Sequence, residues 1–199
     1  MNKKNLLEKV LEEFTVNGEI HKRYVHTLGV IEMALTLNKK LNLNLDENKV
    51  FVSAALHDVA KLMPKEEMEE ILKTEFSNLY PELKDYPTVW HSFVGSYVAK
   101  TKFEILDDDI LNAIKYHTTG KVDMTNLEKL IFVSDYVEKV TRTRESMIIA
   151  RELAYKNLDD ALVKTLSDTI EYLNKEDKSI YVKTFETYEY YLEKGKNNV

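Results

Sequence analysis

Four histidines and two aspartates stand where this sequence otherwise reads as oily helix. His26 lies in YVHTLGVIEMAL, His57 and Asp58 in SAALHDVAKLM, His91 in VWHSFVGSYVA, His117 in ILNAIKYHTTG and Asp135 in LIFVSDYVEKV. Burying a carboxylate costs several kcal/mol unless contacts compensate. Taken singly, each residue has an ordinary explanation. A His on an apolar helix is usually a hydrogen-bonded core residue, and an Asp pairs with a nearby Lys. As a set on separate segments they are hard to satisfy pairwise, whereas divalent ions satisfy them jointly. Neutral imidazole nitrogens and carboxylate oxygens are ligands that Fe, Mn, Zn, Co or Ni accept. Six donors exceed what one tetrahedral ion needs and suit two ions sharing a carboxylate. His57 and Asp58, about 100° apart on a helix, can approach such a cluster from neighbouring sides. His21 lies about 140° round the same helix from His26, among Glu19, Lys22 and Arg23. It reads as a solvated surface residue.

The elements that must carry these groups are helical nearly throughout. Apolar periodicity predicts helices at 2–14, 19–40, 47–61, 64–76, 88–103, 108–118, 126–140, 144–156, 158–174 and 180–194. His57 and Asp58 thus fall inside a helix. Asp46 is placed to cap the third of these, Pro64 and Pro87 fit first helical positions, and Thr125 with Glu128 forms a capping box. Asp107, Asp108 and Asp109 put negative charge at a helix N-terminus, and Gly120 ends the helix bearing His117. In KTFETYEYY, Phe185, Tyr188 and Tyr191 recur at helical spacing and read as core.

With 199 residues, 44% of them hydrophobic, and no linker or repeat, the chain reads as one all-α domain of about nine to ten helices, spanning 1–199. The absence of cysteine rules out thiolate sites and fits a reducing cytoplasm. No signal-peptide pattern opens the chain, and no stretch approaches 18 uncharged apolar residues, so no membrane partner is expected. A net charge of −6 argues against broad nucleic-acid binding. An anionic substrate would have to be drawn by a local feature, which two divalent ions supply.

The ordered set H…HD…H…H…D on helices resembles the HD-domain metal-dependent phosphohydrolases. RYVHTLGV (23–30), LHDVAK (56–61), MPKEEM (63–68), WHSFVGSY (90–97), AIKYHTTG (113–120), MTNLEKLIFVSDYVE (124–138) and TFETY (184–188) are similar to the bacterial YqeK-like group of symmetrical bis(5′-nucleosyl)-tetraphosphatases. The likeness covers about residues 20–190. It implies an HD-domain helical bundle with its core at about 20–140, and helices over 144–194 that pack on it and complete a nucleotide pocket. It implies His26, His57, Asp58 and Asp135 on one ion, and Asp58, His91 and His117 on the other, with Asp58 bridging. Iron fits the family best; Mn, Co, Ni or Zn are the alternatives. The reaction so implied cuts diadenosine tetraphosphate into two ADP through in-line attack by a hydroxide shared between two ions about 3.5–4 Å apart.

Asp58 and Lys61 then form the catalytic core, with Lys61 directed to a phosphate or to Asp58. Arg23 is assigned to phosphate, and His91, His117 and Asp135 border the substrate. Thr118 and Thr119 offer rim hydroxyls, Ser134 a nucleotide contact, and Arg142 with Arg144 free-moving cations for a distal phosphate. Thr184, Phe185 and Thr187 are placed near the nucleotide. The group usually has a Pro and then an Arg soon after the last Asp. Here Lys139 and Thr141 stand at those places, with Arg142 one position later, while Val182 and Glu189 replace a common Pro and Asn. The runner-up is another HD phosphohydrolase, acting on nucleoside monophosphates, cyclic nucleotides or other polyphosphates. An intact ligand set speaks against a non-catalytic binding module. A homodimer is compatible with such a chain, though no residue specifies one.

Overall fold

The computed structural model describes residues 2–196 and is helical almost throughout. Helix α1 (Lys3–Glu13) leads into a small hairpin, β1 (Thr15–Val16) and β2 (Glu19–Ile20), paired Thr15↔Ile20 and Val16↔Glu19. The long α2 (Lys22–Lys40) follows, then α3 (Glu47–Leu56), α4 (Lys65–Glu75) and the single turn α5 (Tyr80–Leu83). A 3₁₀ turn (Pro87–Val89) runs directly into α6 (Trp90–Thr101). Then come α7 (Asp108–Tyr116), α8 (Asn126–Val137), α9 (Glu145–Ala154), α10 (Leu158–Lys175) and α11 (Val182–Lys196). Among the described residues, no helix is long and apolar enough to cross a membrane.

Several ends form for the reasons the sequence offers. Asp46 accepts the Asn48 and Lys49 amides, Asp107 accepts those of Asp109 and Ile110, and Thr125 with Glu128 closes a full capping box. Pro64 stands at the N-cap of α4 rather than inside its first turn, and Pro87 opens the 3₁₀ turn instead of an α-helix.

Two boundaries differ from expectation in ways that shape the site. The second helix starts at Lys22, not residue 19, because Asn17 (φ 53°) and Gly18 (φ 82°) make the tight turn that closes a hairpin. His21 is not merely a solvated residue: it is the N-cap, and its Nδ1 accepts the Arg23 amide at 3.2 Å. The third helix ends at Leu56, so His57 and Asp58 lie just beyond it rather than in its middle. Residues 57–63 wind in tighter turns, with Val59 N–H on Leu56 O, Lys61 on Asp58 and Met63 on Ala60. Pro64 disfavours α geometry at Met63. In turns of three residues, positions i and i+3 stack, which brings Lys61 over Asp58.

One continuous apolar core runs from Leu6 through Leu37, Leu56, Ile114, Leu130 and Leu162 to Tyr191. Helices α2, α3, α7 and α8 pack together in its middle, and α10 and α11 close one side. On α11 the buried stripe is Thr184, Thr187 and Tyr191, while Phe185 is 38% exposed. Each three-residue step on a helix rotates about 60° backwards, so a line through Phe185, Tyr188 and Tyr191 drifts off the core. Tyr191 accepts the Met124 amide at 2.6 Å, tying α11 to the start of α8.

Gly120 adopts φ 65°, and an added Cβ would meet the Thr187 methyl at 2.7 Å. Gly120→Ala is expected to cost about 2 kcal/mol from the left-handed backbone alone, roughly 4–8 °C in Tm. Thermal melts read by circular dichroism check this; an unchanged Tm would show that α11 does not lock onto this turn.

Candidate metal centre

Asp58 is the hub, 2% exposed, and its two oxygens face opposite ways. Oδ2 lies 3.6 Å from His57 Nε2 and 4.0 Å from His26 Nε2. Oδ1 lies 3.5 Å from His91 Nε2 and 3.7 Å from His117 Nε2. These gaps are too long for hydrogen bonds. They stand at, or up to about 0.5 Å beyond, the roughly 3.0–3.5 Å that separates donors each about 2.0–2.2 Å from a shared ion. The donor atoms form two buried groups, His26–His57–Asp58 and Asp58–His91–His117, with Asp58 in both.

The ring tautomers favour the same use. His57 Nδ1 donates to Ala54 O and His117 Nδ1 donates to Ile114 O, each at 2.7 Å. Both acceptors are carbonyls one turn back, at the ends of α3 and α7. Each ring therefore carries a proton on Nδ1 and turns its Nε2 inward, and His57 Nε2 is buried with no hydrogen-bond partner. Burial draws the His57 pKa down to about 4 despite the Asp58 charge beside it. Burial, with the Lys61 ammonium, also holds His91 well below the usual histidine value. Both rings are neutral at pH 7, the form that ligates.

His26 differs. Its Nδ1 faces the buried Glu138 carboxylate at 3.2 Å, and its Nε2 lies 2.9 Å from Asp135 Oδ1 without hydrogen-bond alignment. Burial disfavours the imidazolium, but the Asp135 and Glu138 carboxylates beside the ring outweigh it and raise the pKa. A cation between Nε2 and Asp135 would serve in place of that proton. The orphaned nitrogens and the all-N/O donor set fit divalent ions.

Three side-chain cations border these carboxylates, each about a quarter exposed. Arg23 Nη1 donates to Asp58 Oδ2 at 2.6 Å. Arg142 Nη2 donates to Asp135 Oδ1 at 2.7 Å, and its Nε donates to the Asp135 carbonyl. Lys61 Nζ lies 2.9 Å from His91 Nε2 and 3.8 Å from Asp58 Oδ1. Burial would raise the Asp58 pKa, but the surrounding imidazoles and Lys61 hold it well below the usual carboxylate value. Burial likewise opposes ionisation of Asp135, and His26 with Arg142 reverses it.

The remaining expected residues divide. Thr118 Oγ1 stands 3.1 Å from His91 Nε2 and 3.0 Å from His117 Nε2, within the cluster. Thr119 is buried, its hydroxyl on Gly120 O. Asp135 reaches the cluster through His26 and lies outside both compact donor groups. Arg142 is pinned on Asp135 and is not free-moving. Arg144 begins α9, with its guanidinium over the Tyr172 ring. Ser134 is fully buried, and its hydroxyl has no partner among the described residues.

Helix α11 does wall a cavity of about 440 Å³, but through Lys183 and Glu186 rather than Thr184, Phe185 or Thr187. The core claims Thr184 and Thr187, Phe185 turns to the surface, and the neighbouring face is left for the cavity. Phe93, Tyr116, Tyr181 and Gly120 complete its wall. Sequence reasoning missed Tyr181 and Glu138, and only Glu138 gave a signal: a glutamate in the DYVEKV run, shortly after a candidate ligand.

A model of the HD domain matches residues 23–140. Over 189 residues the chain is 36% identical to a symmetrical bis(5′-nucleosyl)-tetraphosphatase of Bacillus subtilis (strain 168), covering 94% of this chain and 96% of that one. A Staphylococcus aureus (strain NCTC 8325 / PS 47) protein of the same name is 34% identical over 174 residues, covering 85% and 87%. A crystal structure from Clostridium acetobutylicum, titled a predicted HD superfamily hydrolase involved in NAD metabolism, superposes with a TM-score of 0.87 at 30% identity, covering 98% of both chains. With its motif, fold and relatives in agreement, the chain belongs to the HD-domain hydrolases and, within them, to the family of symmetrical bis(5′-nucleosyl)-tetraphosphatases.

Proposed function

We propose that this chain hydrolyses diadenosine tetraphosphate at its central anhydride, one water in and two ADP out, with two divalent ions at the Asp58 cluster. His26, His57, Asp58 and Asp135 would hold one ion, and Asp58, His91 and His117 the other. The observation that carries the reading is that Asp58 presents one oxygen to each histidine pair at 3.5–4.0 Å. Iron is the metal proposed, on a donor set of imidazoles and carboxylates with no thiolate. A cytoplasmic location belongs to the same reading.

When bound, such ions activate water and neutralise phosphoryl oxygens. The chain's own part is positioning and charge. Asp58 orients both halves of the site. Arg23 and Lys61 stand at its edge with partly exposed donors and can each turn to a phosphoryl oxygen while their stems stay packed, while Arg142 stays on the Asp135 carboxylate. Thr118 is fixed between His91 and His117, and the next two residues, Thr119 and Gly120, open the aromatic-walled cavity. A nucleoside seated there would have its phosphates on the side of Thr118, toward the residues that would hold the ions.

Incubation of the purified protein with Fe²⁺ or Mn²⁺ and a nucleotide panel tests this. The expected outcome is two ADP per diadenosine tetraphosphate, read by anion-exchange chromatography. ATP with AMP as products, or an inert dinucleotide beside rapid turnover of mononucleotides, would remove the assignment.

A further inference from the structure

Every group around the Glu138 carboxylate is a donor. Oε2 accepts the Val140 amide at 2.5 Å, and Oε1 accepts the Thr141 amide at 2.9 Å. The Thr141 hydroxyl donates to Oε1 as well, and His26 Nδ1 stands 3.2 Å from it. Glu138 is fully buried. These donors suit an ionised carboxylate with a His26 proton on Nδ1, which also stands 3.3 Å from the Thr141 hydroxyl. An amide at this place would turn its NH₂ toward another donor. His26 Nε2 is thereby the nitrogen turned to the Asp58–Asp135 side.

The surroundings are shaped to keep that carboxylate in place. Gly29, one turn after His26 on α2, is where a Cβ would overlap Glu138 Oε2, closer than any real contact. Arg151 on α9 donates to the carbonyls of Val137, Glu138 and Arg142, at 2.5, 2.7 and 2.6 Å, and so ties down the loop from which Glu138 and Thr141 project. Thr141 stands where the resemblance leads one to expect Arg. Here its hydroxyl serves Glu138, and Arg142 takes the Asp135 carboxylate.

We infer that Glu138 is the positioning residue for the ion on the His26 side: it fixes the tautomer and plane of His26, Gly29 supplies the space for it, and Thr141 with Arg151 holds it there. This rests on the two-ion reading above. Each half of the site has one histidine that leans on a backbone carbonyl, His57 in one and His117 in the other, so the difference between the halves lies at His26. The His26 half alone depends on a side-chain carboxylate from the loop after α8. Outer groups that orient a ligating histidine are commonly worth about 10–100-fold in metal affinity.

The test is calorimetric titration of chelator-treated protein with Mn²⁺ alone, without nucleotide, beside thermal melts of the metal-free forms. Wild type should bind two ions per chain. Glu138→Gln and Gly29→Ala should each weaken one site by about 10–100-fold and leave the other unchanged. Gly29→Ala matters because the atoms nearest its added Cβ belong to Glu138 and, less closely, to the Val140 methyl, not to a proposed ligand. In a His91→Ala background, which retains the His26-side ion, Glu138→Gln should weaken the remaining site. In a His26→Ala background it should add nothing, since the two changes act through one ring. Both ions bound as in wild type by Glu138→Gln, equal weakening of both sites, or an additive loss on His26→Ala would each overturn the inference while leaving the two-ion reading intact. Wild-type protein that binds no Mn²⁺ would overturn both.

Discussion

Asp58→Ala is expected to lower diadenosine tetraphosphate hydrolysis by about 10³-fold or more. Asp58 is the one residue shared by both donor groups, so its removal takes a ligand from each ion at once. If even an outer orienting group is worth about 10–100-fold, losing an inner ligand from two ions multiplies to about 10²–10⁴. Substrate positioning suffers too, because Arg23 and Lys61 lose the carboxylate they now flank. The fold should survive: both cations are about a quarter exposed and can turn to water, and His57, His91 and His117 keep their neighbours. The measurement pairs steady-state kinetics with metal content per chain and a far-ultraviolet spectrum. A variant that retains two ions, or that loses less than about tenfold in rate, contradicts the bridging role.

Metal removal should produce the largest change in stability. The interior of the metal-free chain is balanced but not satisfied: Asp58 leans on Arg23, Asp135 on Arg142, and the inward nitrogen of His57 has no partner. An ion that binds the native state at about 100 times its Kd adds about 2.7 kcal/mol. Two ions add about 5 kcal/mol, or roughly 10–20 °C in Tm for a chain of this size. Exhaustive chelation should therefore lower the melting temperature by that order without loss of helical signal at 20 °C, and Fe²⁺ or Mn²⁺ should restore it. Mg²⁺ should restore less, since it prefers oxygen donors and its own waters. Asp58→Ala should show little of the metal-dependent shift. Identical melts with and without ions would mean that the cluster holds none.

Much of this was readable without coordinates. The four imbedded histidines and two aspartates stood out because buried polar side chains need a reason, and helical periodicity placed nearly every long helix. Caps at Asp46, Asp107 and Thr125 were legible because capping is local: an oxygen two or three residues from an amide needs no tertiary information. The hairpin over 15–20 was legible too, in the Asn17–Gly18 pair, but the helical periodicity that follows obscured it.

What lay beyond the sequence is of another kind. It could not show that α3 stops at Leu56 and that tighter turns stack Lys61 over Asp58, since that depends on how residues 57–63 pack after their intrahelical bonds end. Nor did periodicity separate the buried Thr184 and Thr187 from the cavity-facing Lys183 and Glu186, which differ by 100° on one helix.

By itself, then, the chain's order of residues determined the helical class, the donor set and the kinship with HD-domain hydrolases, because residue type and local spacing carry those. Only the tertiary structure decided which Asp58 oxygen faces which histidine pair, that Arg142 is spent on Asp135, and that Glu138 stands behind His26 in the space Gly29 leaves. Arg142 and Asp135 are only seven residues apart but join across a helix end, and Glu138 meets His26 across 112 residues of chain, a distance on which geometry within one segment places no limit.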